Sequence, residues 1–221
     1  MGADVRLFNL GETCINDIAA RRPGARALFR KYGLDDRCDG ATSLAAVAAR
    51  RGVDLSALEA RLVMLAPRPL DAPATLEGLI DHIVARYHQV HRRELPALIA
   101  LAERFSQLHG GHPQAPNGLA LFLERMSVDL GAHMQQEEEV LFPMLRAGDP
   151  MISVHVEAMR VEHEDHCGTL VALAELTNDF QPPPEASGTW RTLWEGLRKL
   201  AGDLVDHIHA ENDLLFARFD E

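Results

Sequence analysis

The pattern H-x-x-x-E-x-x-x-L-F occurs twice in this chain, as HMQQEEEVLF from His133 to Phe142 and as HIHAENDLLF from His207 to Phe216. Residues four apart on a helix lie one turn apart on the same face, so His133 points with Glu137 and His207 with Glu211. Each histidine also has an acid four residues earlier, Asp129 and Asp203. A chain that spells this twice places two polar stripes on two helices, and the rest of the fold has to accommodate both.

The text around the repeats is helical. From Leu76 onward four long stretches, at about 76–108, 117–147, 151–179 and 185–218, are separated by HGGHPQAPNG, AGDP and NDFQPPPE. No β-branched alternation argues for a sheet. Helices of about 30 residues span about 45 Å. Short connections between them predict an all-α, antiparallel up-down-up-down four-helix bundle over 76–221. Pro96 and Pro143 fall inside these helices and are expected to bend them. Residues 1–66 predict a small helical N-terminal domain: a helix from Pro23 to Gly33, one capped by Thr42 or Ser43 and ending at Gly52, and one opening on Asp54. The Pro-rich text APRPLDAPAT leaves residues 67–75 as the linker.

Charge and cysteine usage exclude several classes. With 33 acids against 22 bases the net charge is −11, the wrong sign for neutralising phosphates, so no nucleic-acid partner is expected. The chain has no apolar run of membrane-spanning length, and its start lacks the basic-then-apolar order of a secretory signal; a cytoplasmic, membrane-free protein is expected. Cys14, Cys38 and Cys167 are too few and too far apart for a disulfide framework or a Cys-only zinc site. The 11 histidines are the informative residues.

The repeats fall on the second and fourth helices, which are diagonal in such a bundle. If both faces turn inward, two imidazoles and two carboxylates meet in the core, and a carboxylate has two oxygens with which to bridge a metal pair. The third helix offers His155, His163 and His166, and the first offers His82, His88, His91 and His109. At 1.5 Å per residue, His163 falls near the level of Glu137, and His88 matches His133 to within about a turn. His166, three residues after His163, either ligates or faces away. His109 lies roughly 30 Å from His88 along the axis and is left out. The predicted site is His88, His133, Glu137, His163, His207 and Glu211. Nitrogen and oxygen donors without sulfur suit iron or manganese better than zinc. A lone H-x-x-x-E is usually a solvated pair; two copies with a level-matched histidine on each remaining helix are a far stronger signal.

Asp129 and Asp203 are placed to accept the second imidazole N–H and read equally as solvated helix acids, the latter slightly favoured for Asp203 because Asp206 is nearby. Glu162, beside His163, reads either as lining access to the metals or as a surface charge. Tyr87 reads as packing. Cys38 follows a helix in a charged loop, as a reactive thiol or an idle one.

The stretches GARALFRKYGLD (24–35), LIDHIVARYHQVHRRELPALI (79–99), HMQQEEEVLFPML (133–145) and ISVHVEAMRVEHED (152–165) resemble the bacterial iron–sulfur cluster repair family, whose bundle is hemerythrin-like. The resemblance covers nearly the whole chain. It implies two non-haem iron ions bridged by Glu137 and Glu211 and capped by the four histidines, and a role under nitrosative and oxidative stress. Two departures stand out. The family's N-terminal domain often carries adjacent cysteines before glycine, whereas DDRCDG keeps only Cys38, with Arg37 before it. Oxygen-carrying hemerythrins place a further histidine four residues after the third-helix ligand, where this chain has Cys167; that implies an iron open to a small ligand.

Three activities fit such a centre: repair of damaged iron–sulfur proteins by iron donation or interception of nitric oxide, sequestration of nitric oxide or dioxygen without turnover, and reduction of nitric oxide. The sequence sets no electron donor and no client, and it is compatible with a homodimer.

Overall fold

A computed structural model describes residues 10–22, 24–34, 39–63, 65 and 70–219. The N-terminal segment folds into short helices: Ile15–Arg21 (α1), Ala25–Lys31 (α2), Leu44–Arg51 (α3) and Leu55–Val63 (α4), preceded by a 3₁₀ turn at Leu10–Glu12. Their ends follow elementary capping chemistry. The Ser43 hydroxyl accepts the Ala46 N–H at 3.4 Å, and α3 stops at Gly52, whose φ of 66° suits a residue without Cβ. Asp54 accepts the Ser56 N–H at 2.9 Å to start α4. Ser43, not Thr42, is thus the cap. The predicted start at Pro23 and the thiol of Cys38 lie outside the described residues.

Chain contacts group the molecule into two units, Met1–Pro69 with Glu164–Glu175, and Leu70–His163 with Leu176–Glu221. In the first unit, Ile15, Ile18, Phe29, Leu44, Val47 and Leu58 anchor a buried apolar cluster. Two buried charged groups in it are satisfied: Glu59 accepts the Gly11 N–H at 2.6 Å, and Arg22 donates to the Leu62 carbonyl at 2.7 Å. Arg61 pairs with Glu164 at 2.8 Å.

The long helices cover residues 76–109 (α5), 119–147 (α6), Ile152–Leu176 (α7) and 188–219 (α8), close to the expected spans. Contacts in the second unit run antiparallel. Along α5 and α6, Asp81 pairs with Arg146 and His88 with Glu138. Along α5 and α8, His88 meets His207 while Phe105 meets Trp190. No strand forms among the described residues, only an isolated bridge between Cys14 and Ser43. No described helix is long and apolar enough to cross a membrane.

Thr75 caps α5 and Ser187 caps α8 through hydroxyls that accept the N–H three residues on. Gly196 lets α8 approach α5 closely, since a Cβ there would meet Leu98 at 2.6 Å. Helix α7 ends in three consecutive left-handed residues, Asn178, Asp179 and Phe180, instead of continuing to 179. The Phe180 carbonyl accepts from Arg198 at 2.8 Å, and its N–H donates to Thr177.

Three of the four long helices are interrupted by π-helical turns: Val84–His88, Glu137–Leu141 and Ala210–Leu215. Such turns widen a helix locally and gather at functional sites. The second ends just before Pro143, whose missing N–H an α-helical turn would have required. Pro96 sits within the uninterrupted Gln89–His109 stretch.

Candidate metal centre

All three π turns converge on one level of the bundle. There, His88 from α5, His133 and Glu137 from α6, His163 from α7 and His207 and Glu211 from α8 turn inward, every one of them buried. The i, i+4 spacing places His133 Nε2 3.4 Å from Glu137 and His207 Nε2 3.0 Å from Glu211.

The six side chains form two sets of four, and both sets contain both carboxylates. One set is His88, His207, Glu137 and Glu211; the other is His133, His163, Glu137 and Glu211; in each, the ligand atoms lie within 4.8 Å of one another. The two oxygens of each glutamate divide between the sets. Glu137 turns Oε2 toward His88 and Oε1 toward His133, both at 3.4 Å. Glu211 turns Oε1 toward His207 at 3.0 Å and Oε2 toward His163 at 3.1 Å. The imidazoles meet through their Nε2 atoms, His88 with His207 at 3.0 Å and His133 with His163 at 3.1 Å. Cations between them fit this arrangement. Both oxygens of Glu137 and Oε2 of Glu211 are buried without a hydrogen-bond partner, a costly condition that metal coordination relieves.

Protonation states agree with that reading. Burial, reinforced by His163, pushes the His133 pKa down to about 3, and burial also lowers that of His207. Such rings are neutral and ready to ligate. Burial and the neighbouring Glu211 raise the Glu137 pKa well above its usual range. Burial also pushes Glu211 upward, but His207, His163 and His88 outweigh it and hold Glu211 well below.

A second ring of polar groups orients the histidines. His88 Nδ1 lies 2.7 Å from Glu138, itself held by Arg92 at 2.7 Å. His133 Nδ1 lies 2.7 Å from Glu162, and His163 Nδ1 lies 3.0 Å from Asn212. Aromatic rings complete the packing: Phe142 stacks on His88, Phe216 on His163 and Tyr87 on His207. Glu138 and Asn212 are absent from the sequence reading, although each directly follows a glutamate shared by the two sets.

The match to known proteins is extensive. Residues 79–219 match the family model described as Hemerythrin HHE cation binding domain, and residues 11–66 match the one described as Domain of Unknown function (DUF542). The Iron-sulfur cluster repair protein YtfE of Citrobacter koseri is 39% identical over 208 residues, covering 92% of this chain and 94% of the relative. The YtfE proteins of Shigella boydii serotype 4 and Escherichia coli K12 show the same 39% identity and the same coverage. This chain belongs to the iron–sulfur cluster repair family.

In this repair-family chain the six expected side chains come together, while the readings of Asp129 as an acceptor and of Asp203 as a solvated acid need correction. Asp129 is exposed on α6; the acceptor at His133 is Glu162, delivered from α7. Asp203 is not a solvated acid: it is buried in an ion network with Arg86 at 2.7 Å and Lys199 at 2.8 Å. Cys167 belongs to neither ligand set, and burial pushes its thiol up to about 12, which keeps it protonated. His166 also stands outside both sets. His109 caps the far end of the bundle, bonded to the Ser187 hydroxyl at 2.8 Å.

Proposed function

We propose that this protein holds two iron ions between His88, His133, His163, His207 and the shared carboxylates of Glu137 and Glu211, and that it restores iron–sulfur clusters damaged by nitrosative and oxidative stress. The observation that carries the reading is the sharing itself: two buried four-ligand sets built on the same two glutamates. All-nitrogen-and-oxygen donors without thiolate suit iron. When bound, the irons supply coordination positions for nitric oxide or dioxygen, and electrons for reducing them.

The chain's own residues set the conditions for that chemistry. The His133 and His207 imidazoles stay neutral because burial disfavours their charged form, so protons do not compete for their Nε2 atoms. The glutamates, each with oxygens turned toward both sets, are the groups whose movement would admit a small ligand or free an ion. Glu138, in contact with His88, also lines a surface cavity of about 410 Å³ with Val84, Gln89 and Phe142, which brings solvent near the centre. Clients in this reading are damaged iron–sulfur proteins of the cytoplasm.

The test is reactivation of a nitric-oxide-inactivated iron–sulfur enzyme by the iron-loaded chain. Recovery that is lost in Glu137→Leu and Glu211→Leu supports the reading; equal recovery with the metal-free variants contradicts it. Transfer of iron to an apo-ferredoxin tests donation, and nitrous oxide in the headspace after exposure to nitric oxide tests reduction.

A further inference from the structure

The contacts around the six ligands come in matching pairs, and one pair is broken. The residue following each glutamate reaches a histidine on a neighbouring helix, Glu138 to His88 and Asn212 to His163. The residue preceding His163, Glu162, serves Nδ1 of His133. The matching residue, preceding His88, is Tyr87. It lays its ring almost flat on His207, with centroids 5.3 Å apart and an 11° angle, instead of presenting a carboxylate. Nδ1 of His207 is consequently buried with no hydrogen-bond partner. His91, whose ring packs 5.4 Å from that of His207, has its own Nε2 buried without a partner and does not fill the role.

This difference bears on metal affinity. A ring that ligates through Nε2 must carry its proton on Nδ1. An acceptor at Nδ1 selects that tautomer and makes Nε2 a better donor. His133 and His163 both have one; in the other set only His88 does, and its acceptor is shared with Arg92. His207 Nε2 lies 3.0 Å from Glu211 Oε1, a contact that suits the opposite tautomer, with Nε2–H donating to the carboxylate. Stacking on Tyr87 fixes the plane of the ring but accepts no proton.

We propose that the two metal positions are unequal, and that the one held by His88 and His207 gives up its ion first. This rests on the two-iron reading and names which of the two ions is exchangeable. The ion between His133 and His163 is the retained one.

The experiment uses the full-length chain, loaded anaerobically with ferrous iron, mixed with an excess of a chromogenic ferrous chelator and followed by absorbance. Two release phases of one iron each are expected, separated by roughly tenfold or more in rate, the usual scale of an outer-ring hydrogen bond. Asn212→Leu and, separately, Glu162→Leu should accelerate the slow phase and leave the fast one in place. Tyr87→Gln, which offers an acceptor beside His207, should slow the fast phase. A single phase releasing both irons from the wild type overturns the inequality alone, with the two-iron reading intact. Acceleration of only the fast phase by Asn212→Leu and Glu162→Leu reverses the assignment and overturns it too. A chain that takes up fewer than two irons defeats the two-iron reading, and this inference with it.

Discussion

His88 and His109 stand on the same helix in opposite surroundings. His109 packs against Phe105 and Trp190, with ring centroids 5.4 Å away in each case, and its Nε2 meets the hydroxyl that caps α8. Phe105, Trp190 and Trp194 touch one another around it, and the Trp194 indole donates to the Thr177 carbonyl at 3.0 Å. His88 instead faces two carboxylates and a second imidazole. His88 is fully buried and His109 half-buried; His91, buried on the same helix but in neither four-residue set, shows that burial alone does not make a ligand and that converging carboxylates do. The aromatic end stabilises the fold through apolar burial. The metal end costs stability until a cation compensates its buried acids.

The sharpest way to break that contrast is to remove a shared carboxylate. Glu137→Leu and Glu211→Leu should each empty both positions, because each glutamate belongs to both sets, while melting of the metal-free variant is unchanged or raised. Metal content and thermal denaturation check this together. Trp190→Ala tests the other end. It should destabilise the chain by about 3–5 kcal/mol in urea unfolding, yet leave metal stoichiometry at the wild-type value under folding conditions.

Acidity should act through the metal end. His91 and His133, each pushed down to about 3 chiefly by burial, stay neutral in the folded metal-free protein while the unfolded chain protonates near 6.5. The unfolded state thus binds more protons, and stability falls as pH drops from about 6.5 toward 3, by ~1.4 kcal/mol per pH unit for each such group. His207, also lowered, adds to this slope. Glu137, raised, works the other way: its contribution fades as pH rises above its ordinary 4.5, cancelling about one proton of the slope. Urea midpoints of the metal-free chain should be lower at pH 5 than at pH 7.5, and bound metal should flatten the difference. The smallest effects are expected at positions outside the centre. His109→Leu should cost about 1 kcal/mol for its lost hydrogen bond, and neither it nor Cys38→Ser should change metal content.

The helices, their breaks and the six converging side chains were legible because apolar periodicity and i, i+4 spacing are properties of sequence. Level matching along the helix axes selected His88 over His109 and paired His163 with Glu137, and both side chains lie in the buried ligand sets. The outer ring was not legible. A π turn adds a residue without altering composition, so nothing in EEE or AEN announces that Glu138 and Asn212 swing toward other helices. Glu162 reaches His133 across a helix interface, whereas Asp129, nearer in sequence, points to solvent; spacing along one helix misled there. Asp203 reads the same as Asp129 until Arg86 and Lys199 are brought beside it.

The central claim is that two shared carboxylates hold a pair of metals. Metal analysis of the purified full-length chain, combined with Mössbauer spectroscopy of the iron-57-loaded protein, tests it most directly. The arrangement of Glu137 and Glu211 predicts about two irons per chain, magnetically coupled through their bridges. One tightly held ion per chain, or two irons with no magnetic coupling between them, would contradict it.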